Sequence, residues 1–192
     1  MYEAKNFDHL FGLEGLSEQL LKNHFVLYQG YVANANKLAE KLVVMIQEER
    51  AATPEYAELK RRFGWEFNGM RLHEFYFGNL AKGHLPQLGQ GKLLEKIIQE
   101  FGSLDVWLKD FKATALARGI GWVILYYDKE ADRLFNVWIN EHDTGHLSGA
   151  APLLVLDVFE HAYMLDYGLK KGDYIEVFLK AVDWPAVEER MK

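Results

Sequence analysis

The strongest constraint on how this chain can fold is a change in the period of its hydrophobic pattern. Up to about residue 80, apolar residues recur every three or four positions, as in LSEQLLKNHFVLYQGYVANANKLAEKLVVMIQEER. Further on, GWVILYYD and RLFNVWIN are rich in β-branched and aromatic residues and are joined by the polar turn KEAD. The first spacing places apolar side chains on one face of a helix, and the second kind of run suits a strand. Ser17 is a candidate cap for the first helical stretch, which Gly30 interrupts, so two helices or one distorted helix both fit. Thr53 followed by Pro54 opens a helix through PEYAELKRRF, and a further helical stretch runs through FNGMRLHEFYFGNL. The punctuated segment AKGHLPQLGQGK ends this half. Helical LLEKIIQEF and SLDVWLKDFKATALARG follow, then the two strands, a third strand in GAAPLLVLDVF, helical EHAYMLDYG, and short helices near DYIEVFLKAV and WPAVEERM. The expected fold class is α+β. It has an N-terminal helical hairpin domain, residues 1–84, and a C-terminal α/β domain, residues 85–192, with a small three-stranded antiparallel sheet.

Composition narrows the function classes. With 192 residues, 49% of them hydrophobic, the chain can bury a substantial core. A net charge of -6 argues against nucleic-acid binding, which draws its affinity from a basic surface, but it permits a local basic patch around a small anion. There is no cysteine, so a metal would have to sit on His, Asp or Glu. No basic segment followed by an apolar core opens the chain, and no run of about 18 apolar residues occurs. A cytoplasmic protein without a membrane partner is the expectation.

The segment LLVLDVFEHAYMLDY places Asp157, Glu160 and His161 close together after an apolar run. Asp157 and His161 meet if both lie on one helix face, or if the carboxylate ends a strand and the imidazole stands in the first helical turn. An ordinary helix start is the alternative, with Asp157 near the positive helix end and His161 a hydrogen-bonded core residue. His24, in NHFVLYQGY, and His73, in RLHEFYF, lie in amphipathic stretches among aromatic residues. Together with Asp157 and His161 they would make a three-His, one-Asp site suited to iron or manganese, with room for a solvent ligand. A zinc-protease reading fails on spacing, because Phe77 stands where HExxH needs its second histidine. A two-His, one-carboxylate oxygenase site would need open positions and a co-substrate pocket that the sequence does not locate.

These segments resemble the iron/manganese superoxide dismutases over nearly the whole chain. PLLVLDVFEHAYMLDY is similar to that family's Asp-x-Trp-Glu-His-Ala-Tyr signature; SEQLLKNH, LHEFYF, FGSLDVWLKDF and GIGW follow in family order. The resemblance implies that His24, His73, Asp157 and His161 ligate one iron or manganese ion, with solvent as fifth ligand. It also implies that superoxide is the substrate. Tyr31, in QGYVANANKL, is similar to the family's gate tyrosine, and His142 aligns with a glutamine that bonds the coordinated solvent. Gly69, in the helix carrying His73, leaves space for a side chain from the other lobe. Trp122 and Tyr76 match aromatic residues lining the pocket. His142 and Val155 put iron ahead of manganese. Glu160 and Tyr163 resemble interface residues of a homodimer or tetramer, with Glu160 pairing with the partner's ligand histidine.

The chain departs from the family pattern at several positions. His24 and Tyr31 are one residue closer than usual, and Tyr28 and Gln29 stand where a histidine pair is common. Phe159 replaces the signature tryptophan, Ile124 stands where a second Trp often follows Trp122, and Lys170 or Lys171 takes the place of an arginine at the channel mouth. Two other readings accompany the dismutase: a metal-binding relative with weak activity, and a non-heme iron oxygenase.

Overall fold

The computed structural model describes residues 1–83 and 88–192. The expected domain boundary, between residues 84 and 85, lies outside the described residues. After a short 3-10 turn at Asp8–Leu10, helix α1 runs over Glu18–Gln47. Ser17 caps it, its hydroxyl accepting from the Leu20 N–H at 3.1 Å. The helix is continuous through Gly30, so the expected interruption is absent. Leu20, Leu21, His24, Phe25, Tyr28, Tyr31, Val32 and Ala35 keep one buried face on both sides of the glycine. Burial of that face outweighs the cost of about 1 kcal/mol for a helical glycine. Helix α2, Pro54–Phe77, is capped by Thr53, whose hydroxyl accepts from the Tyr56 N–H at 3.2 Å. The two helical stretches expected there are therefore one helix, which packs against α1 as a hairpin.

In the second half, α3 (Lys92–Phe101) and α4 (Leu104–Leu116) precede strands β1 (Gly121–Asp128), β2 (Arg133–Asn140) and β3 (Ala151–Asp157). The sheet is antiparallel in the order β2-β1-β3. β1 is the central strand, and its first six residues are buried, as its near-continuous apolar sequence requires. It opens on Gly121, where φ is +146° and a Cβ would lie 1.9 Å from the Ile139 carbonyl oxygen. Only a glycine fits this start, which sets Trp122 opposite Asp157 in the β1–β3 register.

Beyond β3 come a 3-10 turn (Glu160–Ala162) and the helices α5 (Met164–Tyr167), α6 (Lys171–Lys180) and α7 (Trp184–Glu189). The helix expected over EHAYMLDYG is thus broken into a 3-10 turn and one α turn. Tyr163, with φ -144°, interrupts it, and Gly168, with φ +54°, ends it.

The helical hairpin is fastened to the sheet through Asn79, just past the end of α2. Its buried amide donates to the Val155 carbonyl at 2.6 Å, and the Arg190 guanidinium donates to the Asn79 side-chain oxygen and to the Leu153 carbonyl, each at 2.5 Å. The end of α2 and strand β3 are thereby held in fixed relation, which brings residues from α1, α2 and β3 to one place. No helix among the described residues is long and apolar enough to cross a membrane.

Candidate metal centre and its surroundings

His24 projects from α1 and His73 from α2. Asp157 is the last residue of β3, and His161 stands in the 3-10 turn that follows. The second of the two placements open to Asp157 and His161 is therefore the one adopted: a carboxylate ending a strand and an imidazole one turn on. One ligand atom from each of the four residues lies within 4.8 Å of all the others, and His24, His73 and Asp157 are buried. Nε2 of His24 and Nε2 of His161 are each 3.1 Å from Asp157 Oδ2, and Nε2 of His73 is 3.6 Å from it. The other carboxylate oxygen accepts from the Phe159 N–H at 2.8 Å, which fixes the direction in which Oδ2 points.

The protonation pattern asks for a cation. His73 Nδ1 is 2.6 Å from the Gly69 carbonyl, which can only accept, so Nδ1 carries the proton. Nε2 is then a bare lone pair, buried, without a hydrogen-bond partner, and facing a carboxylate oxygen. Two electron-rich atoms so placed repel unless a positive ion lies between them. His24 Nδ1 is also buried without a partner; its ring is held by packing against Tyr76 and Phe77. Three imidazoles and one carboxylate, without sulfur, suit iron or manganese.

Burial lowers the basicity of His24, only partly offset by Asp157, and pushes His73 well below the ordinary histidine range, with His24 adding to the effect. Burial opposes ionisation of Asp157, yet the neighbouring His161 and His24 hold its carboxyl well below the usual carboxylate range. The result is two neutral nitrogen donors and an anionic oxygen at neutral pH, the forms that bind metal.

His142, in the segment between β2 and β3, is fully buried beside this cluster. Trp122 Nε1–H, a group that can only donate, lies 3.0 Å from His142 Nδ1. Nδ1 must therefore accept, and Nε2 carries the proton, which it donates to the Tyr31 hydroxyl at 2.9 Å. Tyr31 stacks on His73, with centroids 5.1 Å apart. Seven residues on a straight helix return within about 20° of the starting direction, so the short His24–Tyr31 spacing keeps both on the same face. The space above Gly69 is occupied by this ring: a Cβ at 69 would lie 2.6 Å from Tyr31 Cδ1. The expected occupant, a side chain from the other lobe, is thus replaced by Tyr31 of the same helical half, and His142 meets Tyr31 at its hydroxyl.

Phe159 lies between two histidines, stacked on His142 at 4.8 Å and on His161 at 5.2 Å. This gives the substituted signature position a defined packing role. Tyr76 is fully buried, with its hydroxyl 3.1 Å from that of Tyr174, which donates to the Asp157 carbonyl at 2.8 Å. Tyr28 is buried too and donates to Glu74 at 3.0 Å. Lys171 donates to the Ala117 carbonyl at 2.9 Å, and Lys170 is exposed. Residues not singled out from sequence also shape the site. Trp65 packs on His142 at 4.4 Å and donates to Glu141 at 3.1 Å, while Arg62 covers the Trp65 ring at 3.7 Å. Arg62 at i and Glu66 at i+4 on α2 form an ion pair, and that spacing was a visible signal.

Burial lowers the His142 pKa to about 4, from an ordinary 6.5. The unfolded chain therefore takes up this proton as pH falls through 6.5, and the folded chain only near 4. Its contribution, on the order of 3 kcal/mol, is complete above pH 6.5 and lost progressively between 6.5 and 4. His24 and His73 act with the same sign. Urea unfolding of the metal-free protein from pH 7 to 4 should show this loss, and His142→Gln should make the decline shallower; identical slopes would contradict a buried neutral His142.

Comparison with known proteins agrees with this geometry. Residues 89–190 match the model of the family described as iron/manganese superoxide dismutases, C-terminal domain. The iron superoxide dismutase of Aquifex aeolicus is 38% identical, covering 96% of this chain and 89% of the relative. A manganese superoxide dismutase of Haloferax volcanii is 37% identical, over 88% of this chain and 83% of its own. The iron superoxide dismutase of Methanothermobacter thermautotrophicus is 36% identical, over 91% and 85%. With this extent of similarity, and four clustered residues able to hold an ion, the chain belongs to the iron/manganese superoxide dismutase family.

Proposed function

We propose that the protein converts two superoxide radicals and two protons to dioxygen and hydrogen peroxide, using one iron or manganese ion held by His24, His73, Asp157 and His161. The observation that carries this reading is the bare, buried Nε2 of His73 facing Asp157 in a three-His, one-Asp cluster. An ion held by these four residues would supply one-electron redox chemistry.

The chain's own residues handle protons and access. Trp122 fixes the tautomer of His142, and His142 donates to the Tyr31 oxygen. The hydroxyl proton of Tyr31 therefore has no acceptor among the described residues and is free to face the reacting oxygen species. Burial raises the Tyr31 pKa well above the ordinary phenol range, so the hydroxyl keeps its proton at neutral pH. Tyr31 and His142 are the residues we assign to proton delivery. Trp122, Trp65 and Phe159 exclude bulk water around them. Iron is the first choice of metal and manganese the second, on the strength of His142 and Val155.

Weak dismutase activity is the second reading. It is favoured by Tyr28, which replaces part of the family's usual histidine pair and directs its hydroxyl to Glu74. The measurement that decides is superoxide consumption by protein loaded separately with iron and with manganese. One form should exceed the same concentration of free aqueous metal by about 100-fold or more, and Tyr31→Phe should lose about tenfold with metal content unchanged. If neither loaded form exceeds free metal, the enzyme reading is lost.

We further assign the protein to the cytoplasm and to a homodimer or tetramer. His161 is the one cluster residue whose side chain is partly exposed, at 29%, and exposed Glu160 precedes it. A two-fold contact through Glu160 and Tyr163 would bring the partner's carboxylate to that imidazole. Glu160→Ala should shift the mass measured by light scattering towards the monomer; an unchanged mass with unchanged metal content would remove this interface.

A further inference from the structure

We propose that His146, backed by Tyr126, is a positioning residue that sets where the His142 ring stands against Tyr31 and Trp122. The inference rests on the dismutase reading for its catalytic consequence, but its geometry stands alone.

His142 occupies the second position of the segment 141–150, between β2 and β3. The following residues 143–145 are exposed, and Gly145 and Gly149 both have positive φ. Such a segment would ordinarily let a side chain wander, yet the His142 ring is fully buried and makes two directed hydrogen bonds. Backbone bonds close the turn around it, Glu141 N–H to the Ile120 carbonyl at 3.2 Å and Asn140 N–H to the Thr144 carbonyl at 2.8 Å, and what is left for side chains to hold is the carbonyl of His142 itself. The His142 carbonyl lies 2.9 Å from His146 Nε2. A carbonyl only accepts, so that nitrogen carries the proton and Nδ1 is bare. Nδ1 in turn lies 2.7 Å from the hydroxyl of Tyr126, which donates to it.

The anchor is rigid. Tyr126 lies in the central strand β1 and is 3% exposed. The pairing of β1 with β2 is regular throughout, and the shift against β3 skips Leu153 on β3 rather than a residue of β1. Residues four apart on a regular strand point to the same face, so Trp122 and Tyr126 rise from the same face of β1 with Ile124 between them. Trp122 grips the His142 ring directly. Tyr126 grips its backbone through His146. A third tie comes from α2, where Trp65 donates to Glu141, whose φ of +50° turns the chain inward just before His142.

The hydrogen bonds, rather than the bulk of the His146 ring, do the positioning, which separates two substitutions. His146→Phe keeps a ring but removes both bonds. His146→Gln keeps an acceptor and a donor with nearly the spacing of the two ring nitrogens, so it can bridge Tyr126 and the His142 carbonyl. Two readouts are needed. In the metal-free protein, the Trp122 indole N–H, observed by NMR, reports whether His142 Nδ1 is still in place. In the iron- or manganese-loaded protein, superoxide consumption reports the consequence. His146→Phe should speed exchange of the Trp122 indole proton by about tenfold or more and lower dismutation by about tenfold, while His146→Gln stays within about twofold of the parent on both. Tyr126→Phe, which removes only the outer bond, should fall between them. Unchanged indole exchange in His146→Phe overturns the proposal, as does a glutamine variant as impaired as the phenylalanine one. If His146→Phe does not fold, Tyr126→Phe decides, and unchanged indole exchange there overturns it. Should the parent protein show no dismutation with either metal, the functional reading fails while the indole measurement still decides the positioning role.

Discussion

His24→Ala is expected to purify without stoichiometric metal and to consume superoxide no faster than free aqueous ion. Even residues that merely orient ligands cost about 10–100-fold in metal affinity when changed, so losing one of four ligands should cost about 100-fold or more. Linkage turns this into a stability measurement. Because the ion binds only the folded chain, the rise in melting temperature on adding metal should shrink in the variant by the equivalent of about 3 kcal/mol. The metal-free variant also loses the His24 Nε2–Asp157 contact and the packing of the ring on Tyr76 and Phe77, so each protein's own metal-free melting temperature is the reference for its rise. Metal content after dialysis against chelator, with melting curves with and without added iron or manganese, checks both parts. Full retention by His24→Ala would remove His24 from the ligand set.

Trp122→Phe should leave metal content intact and lower dismutation by about 100-fold, in the range expected for disabling a proton-transferring group. The indole N–H is what forces His142 Nδ1 to accept. Without it, the imidazole can adopt the opposite tautomer, with the proton on Nδ1. Nε2 then accepts from the Tyr31 hydroxyl, and the proton of Tyr31 is drawn away from the reacting species. The fold should survive, because phenylalanine fills most of the space, at a cost of about 1–3 kcal/mol for the buried His142 Nδ1 left unpaired. Activity retained within a factor of about two would show that the His142 tautomer does not govern catalysis.

The secondary structure was largely written in local chemistry. The caps at Ser17, Thr53 and Ser103 stand where the sequence places hydroxyl residues before apolar periods, and β1 and β2 span GWVILYYD and RLFNVWIN without a residue's difference. The breaks were harder to judge. A glycine weakens a helix by a fixed amount, but whether Gly30 interrupts α1 depends on burial along the whole helical face. The four clustered residues could be nominated from donor type and family resemblance, but only the tertiary arrangement shows that one nitrogen of His73 is bare. Tyr126, His146, Trp65 and Glu141 carried no such sign. Their importance lies in bonds made across the fold, and the positive φ of Glu141 has no local sequence mark.

The cluster joins parts of the chain that are 133 residues apart at the His24–Asp157 contact, with His24, His73 and Asp157 buried and His161 partly exposed. An ion seated there would close a long loop between helical hairpin and sheet. The side on which His161 is partly exposed is the one from which an ion or a small anion would reach the cluster.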